Sequence, residues 1–283
     1  MSTNIITRDY VQDRSASLPG FPSIIRKIID TIEKPDANLS ELAEQISLEP
    51  LITGRVMSFA NSAAMHRRRE SRITDIHSAI SMIGLTSVRN IALSSSFTML
   101  CGETQMRNHV GFIRHSLSVS SCSKELAMHI ENPINVEIAQ IGGLLHDIGH
   151  LWLSHFEPVR FAQTRKYALE NNLEISMAEL REFNVSHETI GTWLAEFWQL
   201  PEELIPAISS HHNPESSQSP TLAALIHVSE ALSYALDLPG YGDRVNMLSA
   251  EACGILGLSW DDSSQDLFGR IEARSRNSAL FLN

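Results

Sequence analysis

Apolar residues recur at helical spacing along this chain, and no stretch alternates apolar and polar residues as a half-buried strand would. Ile24, Ile25, Ile28, Ile29 and Ile32 make one such face, closed by Lys34-Pro35. Ser40 is placed to cap a short helix with Leu42, Ala43 and Ile46 inward, and Glu41 and Glu44 lie early in it, where carboxylates suit the helix dipole. Further runs go from Pro50 to Asn61, from Thr74 to Gly84 and from Ser87 to about Leu100. From Val110 the helices lengthen. One reaches about His129, another runs from Val136 to Ile148, and a third from Pro158 to Glu170. Others follow at roughly Ser176–Phe183, His187–Phe197, Glu202–Ser210 and Leu222–Leu236, with a loop at Asn213–Pro220. The tail holds Ala250–Leu258, a polar turn at Asp261–Ser264 and a last helix to about Leu280. The pattern predicts an all-α protein of two packed helical lobes, roughly 15–100 and 105–240, with a C-terminal helical extension.

Bulk properties narrow the class. A formal charge of -11 over 283 residues argues against broad binding to nucleic acid or to an anionic membrane. Cys101, Cys122 and Cys253 are an odd, scattered set, which suits free thiols in a reducing cytosol better than a disulfide frame. Met1–Tyr10 is polar and reads as no signal peptide, and no run of eighteen apolar residues occurs, so a cytoplasmic location is expected.

The chemistry concentrates in the second lobe. Gly142-Gly143-Leu144-Leu145-His146-Asp147-Ile148-Gly149-His150 sets a histidine beside an aspartate in an apolar helical run. Imidazole and carboxylate are both good ligands for Mn, Fe, Co, Ni or Zn, whereas the plain alternative is a helix end with Gly149 as its C-cap. Ten of the twelve histidines fall between His109 and His227. The candidate ligands are His115, at the start of a helix, His146, Asp147, His187, which opens another, His211, His212 and Glu230. Glu230 lies in the otherwise apolar Ile226–Leu232 stretch, so it needs a partner or an exposed face. Together the set could hold one or two divalent transition-metal ions, with Asp147 bridging. Two ions about 3.5–4 Å apart suit phosphoester hydrolysis. His150, four residues after His146, could reach a substrate or leaving group. His129 and His227 read as packing or surface residues.

Leu144-Leu145-His146-Asp147-Ile148-Gly149 resembles the motif of the HD superfamily of metal-dependent phosphohydrolases. The first lobe is more diagnostic. Leu18-Pro19-Gly20-Phe21-Pro22, Leu42-Ala43-Glu44-Gln45-Ile46, Glu49-Pro50, Phe59-Ala60-Asn61-Ser62-Ala63 and Ala79-Ile80-Ser81-Met82-Ile83-Gly84 together resemble the HDOD family, the HD-related output domain of bacterial signalling proteins. The resemblance runs from about Leu18 to Leu236 and implies a polar segment at 1–17, an HDOD domain at 18–240 (a helical lobe at about 18–100 and an HD-like lobe at about 105–240) and an extension at 241–283. Many members of that family have lost the catalytic set and act as regulators. Against the related HD-GYP phosphodiesterases, His115, His146, Asp147, His187, His211 and His212 match ligand positions, and Glu230 stands where an aspartate would be expected. His150 replaces a lysine there. The Gly-Tyr-Pro loop is absent, since Asn213-Pro214-Glu215-Ser216-Ser217 follows His212.

His66-Arg67-Arg68-Arg69-Glu70-Ser71-Arg72 is a compact basic loop in an acidic chain. Arg67, Arg68 and Arg69 could grip a phosphate, a nucleic acid or the acidic face of a partner, or simply be solvated. Trp193, Phe197, Trp198 and Leu200 are best explained by core packing. The resemblance favours a signalling adapter that contacts an unidentified protein, with a metal site. The alternative is a di-metal phosphohydrolase acting on a nucleotide or other phosphorylated small molecule.

Overall fold

The computed structural model describes residues 5–16, 31, 39–47, 50–66, 73–101, 106–130, 134–235, 248–258 and 264–279. Helices and short turns make up these residues, and there is no strand among them. The expected all-α class is therefore what the chain adopts. The Ile24–Ile32 face (save Thr31), the Arg67–Arg69 loop and the Asp261–Ser263 turn lie outside the described residues. By contact the chain divides into two compact units, one joining residues 1–18 to 108–279 and the other holding 19–107. The N-terminal segment and residues 248–279 of the C-terminal extension thus fall in the histidine-rich unit.

Helix α1 (Arg8–Ser15) begins where Thr7 Oγ1 accepts the Tyr10 N–H. Its apolar face is short, but Val11 is fully buried. The Trp152 indole N–H donates to Ser15 Oγ at 3.0 Å, and the Ile6 N–H donates to the Phe183 carbonyl at 3.2 Å. A nominally polar segment is held by a few long-range contacts that periodicity alone does not reveal.

The 19–107 unit contains α2 (Leu39–Ser47), α3 (Pro50–His66) and α4 (Ile76–Cys101). Leu42, Ala43 and Ile46 are buried as expected, and Ser40 lies inside α2. Gly84 breaks α4 at a positive φ of 81°, which separates the two predicted runs on either side of it.

The other unit continues with α5 (Met106–Ala127), α6 (Val136–Leu145), α7 (Ile148–Phe156), α8 (Pro158–Asn171), α9 (Ile175–Phe183) and α10 (His187–Phe197). After a 3-10 turn come α11 (Ile205–Ser209), α12 (Pro220–Ala235), α13 (Ala250–Leu256) and α14 (Ser264–Ala279). Helices α7 and α10 pack face to face, and α12 packs on α6, α11 and α13. Helix α14 buries Leu267 and Ile271, and its Arg270 reaches the buried Glu125 of α5 at 3.3 Å. Trp198 and Leu200 are core residues.

Two local expectations change. His115 lies in the middle of α5, not at the start of a helix. His146 and Asp147 occupy a break between α6 and α7, and Gly149 lies inside α7 without capping anything. The break brings the two side chains together more directly than neighbouring positions on a continuous helix would.

Candidate metal centre

Asp147 stands at the N-cap of α7, where an aspartate ordinarily accepts from the first-turn N–H groups. Its side chain makes no such bond, and its backbone carbonyl accepts from the His150 N–H at 2.9 Å. The carboxylate is turned instead into a ring of imidazoles. Oδ2 lies 3.4 Å from His146 Nε2 and 3.7 Å from His115 Nε2. Oδ1 lies 3.4 Å from both His187 Nε2 and His211 Nε2. Each oxygen faces its own set, so His115, His146, Asp147 and Glu230 form one group able to hold an ion, and Asp147, His187, His211 and His212 form another. Glu230 Oε1 is 3.8 Å from His115 Nε2, and His212 Nε2 is 3.2 Å from His187 Nε2. All seven predicted ligands therefore converge.

The outer nitrogens fix the tautomers. His146 Nδ1–H donates to the Gly143 carbonyl at 2.9 Å, and His211 Nδ1–H donates to the Ile208 carbonyl at 3.1 Å. A carbonyl only accepts, so each Nε2 presents a lone pair inward. His146 Nε2, His211 Nε2 and Asp147 Oδ1 are buried and have no hydrogen-bond partner. Buried acceptors left in this state are costly unless something positive lies between them. Donor atoms about 2.1 Å from one tetrahedral ion stand about 3.4 Å apart, which is the spacing found here. The residues fit a divalent transition metal with nitrogen and carboxylate ligands.

His150 departs from its expected role. It is 2 % exposed, with Nδ1 3.3 Å from Asp147 Oδ2 and Nε2–H donating to Glu179 Oε1 at 2.9 Å. Its ring stacks on His187 with centroids 3.7 Å apart. Nε2 is bonded to one carboxylate and Nδ1 faces another, so the ring lies inside the site between Glu179 and Asp147. Burial works against its charge, but Asp147 and Glu179 more than offset this and raise its pKa well above the usual imidazole value.

Two carboxylates escaped the sequence reading. Glu179 is wholly buried and accepts from the His187 N–H at 2.8 Å and from His187 Nδ1–H at 2.7 Å, in addition to His150. Its signal was present, since Glu179 lies four residues from both Ile175 and Phe183 on the inward face of α9. Glu188 accepts from Ser176 Oγ at 2.6 Å and lies 3.5 Å from His187 Nδ1. His227 is a tie and not a ligand. Its Nδ1–H donates to the His211 carbonyl at 2.9 Å, and its Nε2 accepts the Ser249 N–H at 3.3 Å.

The cluster sets an acid limit on the metal-free protein. Burial is the main cause holding His146 down to about 3, and the imidazoles of His187 and His150 outweigh burial to hold Glu179 down to about 2. Both folded values lie below the ordinary ones, so the unfolded chain binds more protons in acid and stability falls as pH falls. The His146 contribution is present above about 6.5 and is lost toward 3, and that of Glu179 is present above about 4.5 and is lost toward 2. Melting of the metal-free protein against pH is expected to fall most steeply from about pH 4.5 to 3, because between about 7 and 4.5 the Glu230 carboxyl, raised to about 7, binds its proton in the folded chain first and opposes His146. A flat profile would contradict these assignments.

A His-Asp pair set at a helix break and ringed by imidazoles from other helices places the chain among HD-type helical domains. Within that class it belongs to the HDOD family, whose domain matches residues 18–214. An uncharacterised protein of Treponema pallidum (strain Nichols) is 26% identical over 211 residues, covering 72% of this chain and 39% of that protein. Ribonuclease Y of Thermotoga petrophila is 27% identical over 197 residues, covering 68% of this chain and 32% of that protein. The chain thus spans less than two fifths of the length of either relative. An HDOD domain protein of unknown function from Geobacter sulfurreducens shares the fold, with a TM-score of 0.70 and 23% identity over 97% of each chain. No helix among the described residues is long and apolar enough to cross a membrane.

Proposed function

We propose that this HDOD protein is a di-metal phosphohydrolase acting on a nucleotide or another phosphoester. The observation that carries the reading is the division of labour on Asp147, whose two oxygens each face a separate set of imidazoles. A scaffold needs no such arrangement, and burying one carboxylate among several lone pairs is unfavourable without cations. When bound, a pair of divalent ions supplies Lewis-acid polarisation of a phosphoryl oxygen and activates water at neutral pH.

The chain's own residues do the positioning. His115, His146, Asp147 and Glu230 would hold one ion, and Asp147, His187, His211 and His212 the other. Glu230 and His212 are the less buried members and mark the edge at which a substrate could approach. Burial, with Asp147 next to it, raises the Glu230 carboxyl to about 7 in the metal-free protein, so ion uptake there releases a proton. His150 and Glu179 keep the ring from turning. A ribonuclease among the relatives supports phosphoesters as the substrate class.

The test is a panel of phosphomonoesters, nucleotides and cyclic dinucleotides, assayed with metal-stripped protein reloaded with Mn, Fe(II) or Ni. Turnover with at least one class is expected. Silence from protein carrying two ions would overturn the reading. Chelation is also expected to lower Tm by at least about 10 °C, because each ion at a thousandfold over its Kd contributes about 4 kcal/mol. An unchanged Tm with chelator would count equally against it.

A second reading, the signalling adapter, draws on one feature. Leu169, Leu173, Met177 and Leu180 are exposed on the α8–α9 hairpin, all but Leu173 by more than half. Such a patch suits contact with another protein. Loss of partner capture on changing Met177 and Leu180 to serine, with turnover intact, would support that role alongside catalysis.

A further inference from the structure

We infer that Glu179 is a positioning residue of the centre, a buried carboxylate that aims His187 and so governs chiefly the strength of the second ion set. The inference rests on the two-ion reading above and deepens it.

Glu179 is fully buried on α9, yet it is not placed as a ligand. Its Oε2 accepts both the backbone N–H and the Nδ1–H of His187, at 2.8 and 2.7 Å, and its Oε1 accepts from His150 Nε2–H at 2.9 Å. Glu179, His150 and His187 lie close enough together for an ion, but three donors already occupy both oxygens. A carboxylate so satisfied orients its partners.

The partner it orients is the one most in need of it. His187 is the first residue of α10, and its N-cap Ser186 makes no side-chain capping bond. The free N–H at that helix start is met from another helix, by the same Glu179 oxygen that holds the ring. One atom thereby fixes the backbone and the imidazole of His187 together. With Nδ1 engaged, Nε2 faces Asp147 Oδ1 at 3.4 Å and His212 Nε2 at 3.2 Å. Carbonyls hold the outer nitrogens of His146 and His211, whereas a carboxylate holds that of His187 and makes it the more basic donor. No group of the first set (His115, His146, Asp147, Glu230) is bonded to Glu179 in this way. His150, stacked on His187 and tethered to the other oxygen, closes the remaining side.

The experiment is calorimetric titration of metal-stripped protein with Mn(II), wild type against Glu179→Gln, with the melting of each metal-free form recorded. Two ions are expected in the wild type. In Glu179→Gln the set that contains His187 is expected to lose about 10–100-fold in affinity while the other changes by less than about twofold. Unchanged affinity for both ions, or equal loss of both, would overturn the inference, the latter marking Glu179 as merely structural. Should the amide variant fail to fold, Glu179→Asp withdraws the carboxylate from His187 with its charge kept, and the same selective loss is expected. Fewer than two ions in the wild-type titration would instead overturn the two-ion reading, before any variant is compared.

Discussion

Replacing Asp147 by alanine is expected to remove both ions at once and to lower turnover at least about a thousandfold, equivalent to about 4 kcal/mol of transition-state stabilisation. No other side chain of the centre belongs to both ion-holding groups. Replacing His115 or His211 should weaken one ion and leave the other, so the contrast between single and double loss is diagnostic. Asp147 also lies 3.3 Å from the buried His150, whose imidazolium would keep only Glu179 as a counter-charge in the variant. Removing one partner from such a buried pair costs about 3–5 kcal/mol, so part of the effect will appear as lower stability. Asp147→Asn preserves shape and separates the two effects. Metal content by elemental analysis, read beside turnover, decides the matter. Two ions retained in Asp147→Ala would end the claim that this carboxylate bridges.

Gly149→Ala is the second large effect, and it needs no metal. Helix α7 passes so close to the start of α10 that a Cβ on Gly149 would collide with the His187 carbonyl oxygen and lie 2.7 Å from its carbonyl carbon and 2.9 Å from its Cα. All three atoms are backbone, so no side-chain rotation relieves the clash. The two helices must separate, and with them Asp147 and His187. A loss of about 3 kcal/mol or more is expected, a fall in Tm of roughly 6–12 °C for a unit of this size. Gly254→Ala provides the comparison. It lies inside α13 with nothing within 4 Å of its Cβ position, so alanine there should be neutral or gain up to about 1 kcal/mol. Urea unfolding of the two variants side by side tests the argument, and equal stability would refute it.

The fold class and the candidate ligands were legible because each rests on a local signal. Helical spacing of Ile, Leu and Ala residues marks the elements, and His and Asp are chemically conspicuous wherever they fall. The less legible parts depend on what lies across the interior. Glu179 looked like an ordinary helix carboxylate until α9 placed it against His187 and His150. The four-residue spacing of His150 from His146 suggests one shared face, yet the break at Asp147 turns its ring between two carboxylates. The membership of α1 in the histidine-rich unit rests on contacts distant in sequence, its packing on α10 and the Trp152 bond to Ser15 among them. His227, a helix histidine with no motif around it, proved to bind the carbonyl of a candidate ligand.

The family match ends at residue 214, but Glu230, His227 and Ser249 all lie beyond it. Glu230 completes one ion set, and His227 spans from the His211 carbonyl to the Ser249 N–H at the start of α13. A chain trimmed at the edge of the recognisable domain would keep every histidine of the centre and still lose one carboxylate together with the brace behind the paired histidines. The working boundary of the histidine-rich centre is therefore set by hydrogen bonding, some distance past the point where sequence likeness fades.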